Sequence, residues 1–129
     1  MYFYIVIERG MAYNGICISM SKKHWEGVTE KMKLAVIFGG ISSEHDISCL
    51  SAASILRNLD KSKYEIHAVG ITREGRWYYL PECDADAIES GAWESRNDLV
   101  PALLPPDRSI HGLVLLHEGE TEFVRLDCV

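Results

Sequence analysis

The sequence predicts an α/β fold: a mostly parallel sheet with flanking helices and hairpin insertions, opening as a doubly wound domain opens. Three observations predict it. Leu34, Ala35, Val36, Ile37 and Phe38 form an unbroken apolar run with β-branched and aromatic residues. Such a run fits a strand buried on both faces, as in a parallel sheet. Gly39 and Gly40 end it, and glycine both reaches φ > 0 and lets a ligand approach the backbone. Cys49, Ala52, Ala53, Leu56 and Leu59 then recur at helical spacing and give one apolar face. Ligands of such strand–turn–helix units bind beyond the carboxyl ends of the strands, where residues 39–46 fall.

The remaining elements follow in order. Ser43 with Asp46 reads as an S-x-x-D helix start with Ser43 as N-cap, and Asn58 and Asp60 as the stop. Residues 64–71 alternate and then turn apolar, which predicts a second strand reached by a right-handed crossover. His67 lies within it and reads as a structural or surface histidine. Gly75 in a turn over 72–76, followed by Trp77, Tyr78 and Tyr79, predicts a hairpin. Residues 81–97 are irregular and acidic, a solvated segment with a short helical turn at 84–90. Glu82, Asp84, Asp86, Glu89 and Glu94 there do not form an Asp-x-Asp-x-Asp-Gly calcium loop. Residues 98–104 are apolar but contain Pro101, so at most an edge strand is expected. Residues 105–108 are a loop. Residues 112–117 and 121–126 predict a second hairpin about Glu118, Gly119 and Glu120, although alternation in its second strand is only partial. Asp127, Cys128 and Val129 read as the start of a further buried strand.

Composition bounds the function. A chain of 129 residues suits one domain, and 47% apolar with 25% charged residues suits a globular core. A net charge of −6 argues against nucleic acid and anionic membrane as partners. The four cysteines, Cys17, Cys49, Cys83 and Cys128, show no C-x-x-C and no zinc-ligand spacing, so they read as reduced thiols of a cytosolic protein.

The glycine turn is the sharpest signal. It matches neither G-x-G-x-x-G nor the P-loop, and no lysine follows to meet a phosphate. A plain turn and a ligand loop both stay open on these residues alone. Free N–H groups at the helix start favour an anion, whereas Glu44 and Asp46 beside them could hold a cation.

The stretch from Leu34 to Ser48 resembles the opening of the D-alanine–D-alanine ligases, whose motif is an apolar strand followed by Gly-Gly-x-Ser-x-Glu-x-Glu-Val-Ser. The resemblance continues through Ser51-Ala52, residues 59–65 and residues 70–77, and more loosely to Val129. Asp46 and Ile47 stand where that family usually has Glu and Val. The resemblance implies a Rossmann-like pre-ATP-grasp domain and a cytoplasmic enzyme joining two D-alanines for peptidoglycan synthesis. ATP phosphorylates the first D-alanine carboxylate with magnesium bridging, and the second amine then displaces phosphate. Glu44 is the position that would hold the ammonium of the first D-alanine, orienting it rather than acting as a base. Ile47 would shape the pocket beside the substrate methyl, and Gly39 and Gly40 would permit its approach. His45 and Asp46 are left as helix-start residues. No metal ligand is assigned here, because ATP and Mg2+ contacts belong to the central and ATP-grasp domains.

The resemblance also sets the expected boundaries. Residues 32–129 would be the amino-terminal ligase domain, truncated before the His-Gly-x-x-Gly-Glu-Asp-Gly motif and inactive alone. His111-Gly112 lacks that motif's acidic tail. Residues 1–31 would be a non-homologous extension, either translated upstream sequence or an added edge strand at 2–7. The apolar run at 2–7 is too short to span a membrane. Family members are usually homodimers. A D-alanine–D-lactate ligase, another ATP-grasp enzyme, and a non-catalytic α/β binding domain are the other readings.

Overall fold

The computed structural model describes residues 30–107 and 109–129. The reading of residues 1–31 lies, apart from Glu30 and Lys31, outside them. The described chain runs β1 (Met32–Gly39), α1 (His45–Asn58), β2 (Tyr64–Ile71), β3 (Trp77–Leu80) and α2 (Ala85–Ser90). A 3-10 turn (Ala92–Ser95), β4 (Val100–Leu103), β5 (Gly112–His117) and β6 (Glu120–Arg125) follow. The six strands are ordered β1-β2-β3-β4-β5-β6.

β1 is covered on both sides, as its apolar run predicts. Its even residues Val36 and Phe38 join Ala68 and Leu80 under α1, α2 and Trp93. Its odd residues Ala35 and Ile37 face a second core with Val69, Ala102, Leu113, Leu115 and Leu126. Strand alternation thus sends neighbouring side chains into different cores. The helix layer is close-packed because α1 presents His45, Ser48, Cys49, Ala52, Ala53 and Leu56 on one face. Phe38 meets Trp93 edge to face, with ring centroids 5.2 Å apart.

The α/β class with flanking helices and hairpins holds, but the sheet is mixed rather than mostly parallel. Parallel pairing joins β1 to β2, from Met32↔Tyr64 to Gly39↔Ile71, and recurs in a bridge between Leu34 and Cys128. β2 through β6 are joined antiparallel. Connection length accounts for part of this: a parallel return needs a crossover of a dozen residues or so, which α1 supplies between β1 and β2, whereas residues 81–99 are long enough for one but return antiparallel. The turn between β2 and β3 is far shorter, and Gly75 at φ 83° closes it. The bridge at Cys128 agrees with a strand beginning at the chain's last residues.

Two local expectations change. β4 is not an edge: Val100 and Pro101 pair with β3, whereas Ala102 and Leu103 pair with β5. Pro101 sits in the half bonded to β3, so its missing N–H does not interrupt a two-sided ladder. Residues 81–97 are more than a solvated segment. Asp84 caps α2 by accepting from the Asp86 and Ala87 N–H groups, and Gly91 ends it at φ 79°. The next turn then drives Trp93 fully into the core. In β6 the partial alternation reflects Phe123, which lies over Gly112 and stays exposed while Val124 and Leu126 turn inward.

Gly70 explains how so large a ring fits. A Cβ at Gly70 would lie 2.4 Å from the Trp93 ring. Gly70→Ala should therefore overpack this core and cost about 1–3 kcal/mol. Urea unfolding followed by Trp fluorescence checks this; an unshifted midpoint would show that Trp93 can move aside.

Candidate functional site at the carboxyl end of β1

The chain reverses between β1 and α1 over a turn that only glycine fits. Gly39 has φ 87° and Gly40 φ 113°. A Cβ on Gly39 would stand 2.1 Å from the Ile71 carbonyl oxygen, whereas one on Gly40 would meet open space. The close approach at Gly39 lets the Gly40 N–H donate to that same carbonyl at 2.8 Å. The Gly39 N–H donates to Ser48 Oγ at 3.0 Å. The turn is thereby tied to β2 on one side and to α1 on the other.

α1 begins one residue later than Ser43 predicts. Glu44 is the N-cap, with φ −82° and ψ 4°, and no side chain caps the helix. The Ser43–Asp46 capping box does not form. Ser42 takes the local role instead, its Oγ accepting from the Glu44 N–H at 3.2 Å. Asp46 is engaged elsewhere, by Arg73 at 2.6 Å from the turn after β2. Both partners are exposed, so the pair adds little stability. Its consequence is electrostatic: Arg73 offsets Asp46, and among the described residues the half-buried Glu44 carboxylate has no hydrogen bond or ion pair.

Ile47 follows on the first turn and is 55% exposed. Gly39, Gly40, Glu44 and Ile47 therefore stand around one edge: the glycine backbone, one free carboxylate and an apolar rim. The arrangement can hold a small cationic group with a short apolar branch.

Beneath this edge lies a buried polar link that the sequence reading missed. His45 is 2% exposed. Its Nδ1–H donates to the Gly40 carbonyl at 2.8 Å, and Nε2 meets Glu94 Oε1 at 3.0 Å. The ring also stacks on Trp93, with 6.4 Å between centroids and 15° between planes. The missed signal was the position of His45 on the apolar face of α1, four residues before Cys49.

A groove of ≈ 540 Å³ lies at the other end of the strands, lined by Lys33, Glu65, His67, Tyr79 and His117 among others. Its histidines are already engaged. His67 meets Glu65 and the Tyr79 hydroxyl, and His117 meets Glu122. His67 is thus structural, and burial pushes the Tyr79 phenol up. Volume favours this groove, whereas the strand–turn–helix geometry favours the glycine turn, since ligands of such units bind beyond the carboxyl ends of the strands.

No cluster of three or more His, Cys, Asp or Glu side chains that could hold a metal ion occurs among the described residues. With no lysine after the glycines, the turn lacks the cation that a P-loop offers a nucleotide phosphate. No described helix is long and apolar enough to cross a membrane. Cys49, Cys83 and Cys128 are free thiols. Burial pushes all three up from the ordinary thiol range. For Cys49 the Trp93 indole N–H pulls the other way but less strongly; that N–H has no partner of ordinary hydrogen-bond geometry.

Two outcomes follow. Gly39→Ala should destabilise the fold far more than Gly40→Ala, because only the former drives a Cβ into a carbonyl; urea midpoints of the two variants decide it. A raised thiol pKa leaves less thiolate at any given pH. Cys49, Cys83 and Cys128 should accordingly alkylate more slowly than free cysteine at about pH 8.5 and accelerate above it. Site-resolved mass spectrometry against pH reads this directly.

The sequence and the fold have counterparts in known proteins. The family described as D-ala D-ala ligase N-terminus matches residues 33–125. A D-alanine–D-alanine ligase of Thermoanaerobacter sp. (strain X514) is 46% identical over 100 residues, 78% of this chain and 27% of that protein. The solved VanG D-Ala:D-Ser ligase from Enterococcus faecalis aligns with a TM-score of 0.67 at 30% identity, over 76% of this chain and 27% of its own. The D-alanine–D-alanine ligase from Coxiella burnetii aligns at 0.62 and 27% identity, over 78% of this chain and 28% of that one. The chain spans about a quarter of the length of these relatives. It belongs to the D-alanine–D-alanine ligase amino-terminal family.

Proposed function

We propose that residues 32–129 form the amino-terminal, substrate-facing domain of an ATP-dependent D-alanine–D-alanine ligase acting in the cytoplasm for peptidoglycan precursor synthesis. The observation that carries this reading is the free carboxylate of Glu44 at the end of β1, in a chain of this family. Residues 1–31 stand outside that domain.

Glu44 holds the ammonium of the first D-alanine by a charge-assisted hydrogen bond. That fixes the substrate while its carboxylate reacts elsewhere, a positioning contribution rather than a proton transfer. Ile47, exposed on the same turn, covers the substrate methyl. Gly40 leaves room for the approach, since a side chain there would extend into open space, and Gly39 lets the turn close against β2 so that Gly40 faces that space. ATP and Mg2+ are held by domains other than this one. The acceptor is selected there too: a related structure is a D-Ala:D-Ser ligase with the same domain.

Glu44→Gln in the complete ligase tests the assignment. Loss of a hydrogen bond to a charged group is worth about 1.5–3 kcal/mol, roughly ten- to a hundredfold. The loss should appear in kcat/KM for the first D-alanine, with the KM for ATP unchanged. Unaltered D-alanine kinetics would remove Glu44 from the site.

A further inference from the structure

We propose that His45, held by Glu94 and Trp93, is a positioning residue that sets where Glu44 stands relative to the glycine turn. The inference rests on the reading of Glu44 given above and extends it to a part of the chain that the sequence assigns to solvent.

The argument is one of closure. Gly40 and His45 bound a short loop whose last residue before His45 is Glu44. The Gly40 N–H is fixed to β2 through the Ile71 carbonyl at 2.8 Å. The Gly40 carbonyl, which can only accept, takes the Nδ1–H of His45 at 2.8 Å. The loop is therefore pinned at both ends by one peptide unit and one imidazole. Rotation of that ring would move the start of α1 and carry Glu44 with it.

The ring has no freedom to rotate. Glu94 takes Nε2 at 3.0 Å from the opposite side. Trp93 lies against the ring plane, and the His45 side chain is 2% exposed. Glu94 and Trp93 come from the turn after α2, so the acidic 81–97 segment braces the site from below. The Glu94 side chain is 31% exposed and can be changed without opening the core. A buried imidazole with both nitrogens engaged is more than core filling requires, because an apolar residue would pack against Trp93 without needing two hydrogen-bond partners.

A double-mutant cycle in the complete ligase tests the proposal, with His45→Phe, Glu94→Ala, Glu94→Gln, Glu44→Gln and the His45→Phe/Glu44→Gln double variant. His45→Phe and Glu94→Ala should each raise the KM for the first D-alanine, on the order of tenfold, because a displaced orienting group loses alignment. The KM for ATP should not change. Glu94→Gln keeps an amide of the same size that can hydrogen-bond Nε2 in either ring form, and should restore near-normal values. The double variant should be no worse than Glu44→Gln alone, since a misplaced Glu44 has nothing left to lose. Losses that multiply in full would overturn the proposal, as would normal D-alanine KM in Glu94→Ala alongside an impaired Glu44→Gln. A silent Glu44→Gln would instead show that the reading of Glu44 had failed. Should His45→Phe fold poorly, the two Glu94 variants carry the test.

Discussion

β1 is buried on both faces, and this constraint organises everything near it. Val36 and Phe38 belong to the helix-side core while Ala35 and Ile37 belong to the hairpin-side core. A strand so enclosed cannot carry a polar side chain in its middle without a large desolvation cost. Polar chemistry is pushed to the strand's end, where the backbone leaves the sheet and its N–H groups turn to side-chain and cross-strand acceptors. The glycine turn is the outcome. It reverses the chain within hydrogen-bonding distance of β2 and hands it to a helix that starts at the sheet's edge.

How much of this is legible in the sequence depends on the range of the interaction. β1, α1, β2 and both hairpins follow from apolar period and turn residues, which are local signals. Glu44 is legible through its setting, a carboxylate just past a Gly-Gly turn, and through the family motif. What is not legible is pairing across long separations. The Glu94 bond to His45 spans 49 residues. Nothing in the composition of 81–97 separates Glu94 from the four acids that face solvent or cap α2. Trp93 offered the one clue, a large aromatic inside an acidic tract. The Ser43 cap failed for a related reason: S-x-x-D is a local pattern, and tertiary ties at Gly39, Gly40 and His45 set the helix start instead. The parallel share of the sheet was overestimated because a buried apolar run reports burial, not strand direction.

The placement of charge separates Glu44 from Asp46 and supports the role proposed for Glu44. Both sit near a helix start whose dipole favours anions. Asp46 has its counter-ion in Arg73, supplied by the turn after β2. Glu44 sits at the same positive helix end, and among the described residues its carboxylate has no side-chain partner. A bare N-terminus would repel an ammonium; the carboxylate reverses the local sign and makes the edge receptive to one. The discrimination is therefore electrostatic and geometric at once. An anionic ligand would meet Glu44 directly, while a zwitterion can present its ammonium and keep its carboxylate turned away. On the proposed function, that orientation leaves the substrate carboxylate free to react. It also explains why a small change in the turn matters: the carboxylate's value lies in its position, and its position is fixed by the backbone of Gly40.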